Sequence, residues 1–156
     1  MLSPHACYEL SVQSPRHVCA FLRALHANQP LLLREDFCGA AAVSLRWVKD
    51  GANTGNRATA IDLDAEALAR AAELAVRELP PAARDRLALL RGDCTDPHAP
   101  AHDHGADAVF VGNFSIGYLH TRAALLDYLR RSHARCALGS SGLGGGVFVC
   151  DTYGGA

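Results

Sequence analysis

Four carboxylates and an asparagine stand where a chain of alternating strands and helices would present them to a ligand. Glu35 and Asp36 close the leucine run of 30–39, PLLLREDFCG, Asp62 closes 57–63, RATAIDL, Asp93 follows 87–91, and Asn113 follows 107–112, DAVFVG. In an open α/β sheet these strand ends share one edge, where ligands bind. A row of oxygen acceptors with nothing basic among them suits a ligand carrying hydroxyls, an amine and a positive centre. It suits a pyrophosphate poorly. The glycines agree, because a dinucleotide turn of the form G-x-G-x-x-G lets backbone approach phosphates, whereas Ala40, Ala41 and Ala42 follow the single Gly39. NAD is disfavoured on both counts. Asp62 lies 23 residues past Gly39, the spacing at which an acid on a second strand accepts hydrogen bonds from ribose hydroxyls. No Ser-His-Asp or Cys-His set is legible, so the catalytic residues are unknown. Tyr118 and His120, after Asn113-Phe114-Ser115, are the nearest candidates to touch a substrate.

The elements that must hold these residues follow from periodicity. Ser14-Pro15 reads as a helix start, with Val18, Phe21, Leu22 and Leu25 as a stripe against the sheet. A helix over 40–48 follows Gly39. Asp64 caps a helix over 65–79 that carries Leu68, Ala72, Ala75 and Leu79 inward, with Glu66/Arg70 and Glu73/Arg77 paired outside, and Pro80-Pro81 stops it. Thr121 caps a helix to about 136, with Leu125, Leu129 and Ser132 facing in and Asp127/Arg131 outside. Glycines at 139–146 precede a fifth strand, 147–151. Five strands alternating with helices predict a parallel sheet with right-handed crossovers.

Each site residue has a second use. An acid at a strand end caps the next helix, Cys38 and Cys94 fill small buried spaces, and Asn113 forms a turn. His98, His102 and His104 sit in a Pro-rich connection without a helix to fix their spacing, which reads as a solvated loop and no metal site.

Composition bounds the rest. The chain has 156 residues, 49% hydrophobic and 20% charged, enough for one core, and reads as a single domain with an N-terminal arm and helix over 1–29. A formal net charge of -1 offers no basic field for nucleic acid. Six cysteines without a C-x-x-C pair suit reduced thiols, hence the cytosol, and no apolar run predicts a membrane span or a secretory leader.

With these residues on the page the chain resembles class I S-adenosylmethionine-dependent methyltransferases, in particular the group with E-D-F-C-G, N-F-S and D-x-Y-G-G motifs. Here these are Glu35 to Gly39, Asn113 to Ser115 and Asp151 to Gly155, with Tyr8 to Gln13 similar to the family's N-terminal arm. The resemblance implies a Rossmann-like three-layer α/β/α fold of strand order 3-2-1-4-5, with strands 6 and 7 absent. It implies S-adenosylmethionine as cofactor, with Glu35 near the methionine amino group, Phe37, Cys38 and Gly39 lining the turn, and Asp62 on the ribose. Leu63, Asp93 and Cys94 would meet the adenine, Asn113 and Phe114 would lie beside the methyl donor, and Tyr8 and Gln13 of the arm would also bind the cofactor. Phe37 and Ala41 stand where many relatives have glycine. The acceptor is unidentified, with a small molecule favoured. The other reading is a cofactor-binding module or inactive remnant that needs a partner: the fifth strand is left with an apolar free edge, which a second copy in a homodimer or a complementing C-terminal chain would cover.

Overall fold

Leu32 to Asp36 places alternating side chains on two covered faces, and this five-residue strand, β1 (Leu32–Asp36), is the centre of the sheet. The computed structural model describes residues 14–26, 31–51, 53–96, 105–137 and 145–152; Tyr8, Gln13, the histidine segment 97–104 and residues 153–155 lie outside them. β2 (Arg57–Asp62), β3 (Leu87–Arg91), β4 (Ala108–Val111) and β5 (Val147–Cys150) complete an all-parallel sheet of order β3-β2-β1-β4-β5. The register puts Asp36 beside Ile61 and Val111, and Asp62 beside Arg91, so the strands end together. Asp107 sets the start of that register by accepting from the backbone N–H groups of Leu31 and Leu32, both at 2.8 Å.

Helices cover both faces: α1 (Pro15–Leu25), α2 (Ala42–Asp50), α3 (Ala65–Glu78), the single turn α4 (Pro81–Arg84), and α5 (Arg122–Arg135). Asp64 caps α3 by accepting from Glu66 and Ala67 N–H, and Thr121 caps α5 by accepting from Ala124 N–H. The helix predicted from residue 40 begins at Ala42 because Gly39 to Ala41 are spent on a turn. α3 ends at Glu78, just ahead of Pro80-Pro81 as expected, and Pro81 also opens α4 from the first helical position, where its missing N–H costs no bond.

Two predicted faces, on α1 and α5, are rotated, and a third, on α3, is adjusted at one position. On α1, Cys19 and Leu22 are buried while Phe21 and Leu25 are exposed, because the helix packs chiefly on α2 rather than on the sheet. On α3, Leu68, Ala75 and Leu79 are buried as expected, Ala71 and Leu74 join them, and Ala72 is exposed. On α5, Tyr128, Ser132 and Arg135 are buried, with Leu125 and Leu129 only half-buried. The cause lies in β1: Arg34 and Asp36 are buried on the face that α5 covers, and buried charge needs partners more than a leucine stripe needs shade. Arg34 Nε donates to Asp36 at 2.9 Å, Tyr128 Oη donates to Asp36 at 2.7 Å, and Arg135 stands 3.8 Å from the same carboxylate. Burial, then the Asp36 charge, pushes the Tyr128 phenol far up, so it stays a neutral donor. The predicted Asp127/Arg131 pair forms at 3.1 Å, whereas Arg77 pairs with Glu78 at 3.0 Å.

Candidate functional site

Between the carboxyl ends of β1 to β4 lies a cavity of about 620 Å³, a volume typical of small-molecule sites. Four loops build it. The β1 loop supplies Phe37, Cys38, Gly39 and Ala40; the β2 loop Asp62, Leu63 and Asp64; the β3 loop Gly92 to Thr95; and the β4 loop Asn113, Ser115, Tyr118 and Leu119.

Backbone strain concentrates here. Phe37, Ala41, Asn113 and Phe114 are non-glycine residues with φ between 53° and 59°, alongside Gly39 at 53°. Such conformations persist where surrounding bonds over-determine them, and those bonds are present. Asp62 accepts from Gly39 N–H at 2.7 Å and from Asp64 N–H at 2.9 Å, fastening the β1 turn to the end of β2. Asp151, just past β5, accepts from Asn113 N–H at 3.1 Å and Phe114 N–H at 2.6 Å, holding the left-handed pair that feeds the 3-10 turn Ser115–Tyr118. A Cβ added at Gly39 would meet nothing within 4 Å, so the cavity comes up to bare backbone there.

Of the residues singled out by sequence, Phe37, Cys38, Gly39, Asp62, Leu63, Asp93, Cys94, Asn113 and Tyr118 line the cavity together. Glu35, Phe114 and His120 do not. Glu35 turns to the opposite face of β1 from Asp36, is buried, and accepts from the Ser44 N–H at 2.8 Å and from the Ser44 hydroxyl at the first turn of α2. Burial raises its carboxyl from 4.5 to about 7, the Ser44 hydrogen bonds pull it down, and the Asp62 charge adds to the rise. Asp93 accepts twice from Thr95, through N–H at 2.8 Å and Oγ1 at 2.6 Å, with both bonds on Oδ1. Burial, reinforced by Glu35 and Asp62 around Cys38 and by Asp36 around Cys94, holds both thiols protonated. They are walls, not nucleophiles.

The expectation that nothing basic borders the site is corrected: Arg70 lines it. Asp64, Ala67 and Arg70 follow one another at intervals of three along α3, so they share the face that overhangs the end of β2. That spacing was legible in the sequence once Asp64 was recognised as the cap. Among the described residues no cluster of three or more His, Cys, Asp or Glu is placed to hold a metal, and no helix is long and apolar enough to cross a membrane.

No family model matches the chain, and no curated protein matches it. Solved structures do. The SAH-bound methyltransferase PaMTH1 of Podospora anserina superposes with a TM-score of 0.66 at 17% identity, over 96% of this chain and 56% of that one. The glycopeptide N-methyltransferase MtfA gives 0.61 at 21%, over 86% and 57%, and a SAM-dependent methyltransferase from Aquifex aeolicus 0.58 at 18%, over 86% and 64%. The fold is the Rossmann-like fold of these methyltransferases. The chain spans less than two thirds of each of the three.

Proposed function

We propose that the chain binds S-adenosylmethionine across the carboxyl ends of β1 to β4 and forms the cofactor-binding core of a methyltransferase. The observation that carries this reading is Asp62: a carboxylate in the cavity wall, oriented by two backbone N–H groups, beside a glycine whose Cβ position is open. Each of its oxygens accepts one of these bonds and has a second lone pair for a ribose hydroxyl.

The other lining residues fit the same molecule. Leu63, apolar and 61% exposed, offers a planar base an apolar face, and Asp93 keeps Oδ2 without a partner among the described residues. Asn113 offers an amide to the amino-acid end. Glu35 supports this end from below, by fixing the first turn of α2. The cofactor supplies an activated methyl group on a sulfonium. The chain's own residues bind it, orient it and keep water from it, which is most of what an in-line displacement asks of a protein. A small acceptor fits the opening beside Tyr118 better than a polyanion, because the formal net charge is -1. Calorimetry with S-adenosylmethionine and S-adenosylhomocysteine is the test: saturable heat with both, and none with NAD, is expected. Absence of heat with either ligand in folded protein removes the reading.

One observation also favours a partner chain at β5. Val147 and Asp151 direct their N–H groups to β4, so by the alternation of a parallel ladder Phe148 and Cys150 direct theirs away from it. Among the described residues β5 has β4 as its one strand neighbour. A second copy pairing along this edge, or a separate chain doing so, would satisfy those groups.

A further inference from the structure

Phe37 raises a question of chemistry. Its backbone lies at φ 56°, where a bulky side chain is an outlier and glycine is at ease. Glycine would meet the demand of the turn at no steric cost, so the ring must return something. Its surroundings say what. Phe37 stands 6.2 Å from Tyr128 on one side and 6.2 Å from Tyr118 on the other, ring centre to ring centre. Tyr128 is buried and fixed by its bond to Asp36, whereas Tyr118 is 70% exposed although it lines the cavity. The three rings run from core to mouth, and the outer two, tilted by 31° to each other, border the ligand space.

We propose that Phe37 and Tyr118 form a cation-recognising face that takes the positively charged sulfonium of the cofactor. The inference rests on the cofactor reading above. In S-adenosylmethionine the sulfur joins the ribose to the amino-acid chain. With the ribose at Asp62 and the base toward Leu63, it falls on the side of the β1 turn and the β4 loop, where these rings are. Aromatic faces carry negative quadrupole potential and attract a cation within about 6 Å of the ring centre. They also suit the reaction better than a carboxylate would. The sulfonium loses its charge as the methyl leaves, so a tight ion pair would stabilise the reactant more than the transition state. A neutral ring selects for the cation while adding less to that barrier.

The experiment compares S-adenosylmethionine with S-adenosylhomocysteine, which has the same groups without the methyl and its charge. Both are titrated by calorimetry into the unmodified chain and into Tyr118→Leu, Phe37→Leu and Tyr118→Phe. Leucine keeps apolar contact and removes the ring, so the ratio of the two affinities should fall by about 3- to 30-fold against S-adenosylmethionine in the leucine variants. Tyr118→Phe should keep the original ratio. Equal losses on both ligands, or an unchanged ratio, overturn the inference and leave the cofactor reading standing. Failure of both ligands to bind the unmodified chain overturns both. Tyr118 is exposed enough for its variants to fold, so they decide the matter if Phe37→Leu does not.

Discussion

Replacing Glu35 with glutamine should change how stability depends on pH, by an amount that follows from burial. The folded carboxyl titrates near 7 and the ordinary value is 4.5. Between those values the native chain holds a proton that the unfolded chain has released, so stability is complete below 4.5 and declines as pH rises through 7. At 1.36 kcal/mol per pH unit the full decline is about 3 kcal/mol, most of which falls between pH 5 and pH 8. Glutamine keeps an oxygen for the Ser44 donors and cannot ionise. At pH 5 the two proteins should therefore be of similar stability, and at pH 8 Glu35→Gln should be more stable by about 2–3 kcal/mol. Urea unfolding of both proteins at several pH values from 5 to 8 measures this, and groups unaffected by the substitution cancel in the difference. Parallel curves would refute the reasoning, since they would mean that the Ser44 bonds and the N-terminus of α2 offset burial completely. Asp62→Asn offers a cross-check, because removing that neighbouring charge should lower the Glu35 titration point.

Asp62→Ala should weaken S-adenosylmethionine and S-adenosylhomocysteine binding by about 1–3 kcal/mol through lost charged hydrogen bonds; calorimetry showing no change would remove Asp62 from the site. Asp151→Ala leaves two consecutive left-handed residues without their shared acceptor and should raise amide exchange across 113–118, an effect hydrogen exchange with mass spectrometry would detect or deny. In iodoacetamide labelling at pH 8, exposed Cys150 should react well before buried Cys38 and Cys94, and peptide mapping that finds Cys38 first would contradict its protonated, walled-in state. Cys150→Pro removes an outward N–H without touching the Phe148 ring, which packs 6.2 Å from Tyr128; loss of a sedimenting dimer would support pairing along β5, and a chain monomeric before and after would end that proposal.

The sequence by itself determined the order of elements, their parallel sense and the edge on which the acids end. These depend on local matters: alternating apolar runs, Asp64 and Thr121 at the first turns of helices, and Gly39 after a strand. It also brought Asp62, Asp93 and Asn113 to the cavity, because strand ends in a parallel sheet must share one rim, while Phe37, Cys38, Leu63 and Cys94 were named through the resemblance to a family. What it could not decide is which way a side chain turns once it reaches that rim. Glu35 and Asp36 are adjacent and chemically alike, yet the pleat sends them to opposite faces. One fastens the first turn of α2 and the other anchors Tyr128, and neither lines the cavity. The rotated faces of α1 and α5 have the same origin, since a helix presents whichever residues its actual neighbour requires. For α1 that neighbour is another helix, and for α5 it is a buried charge. Arg70 entered the site through helical spacing measured from a cap. The closeness of Phe37 to Tyr118, 81 residues away in the chain, exists only because β1 and β4 lie side by side.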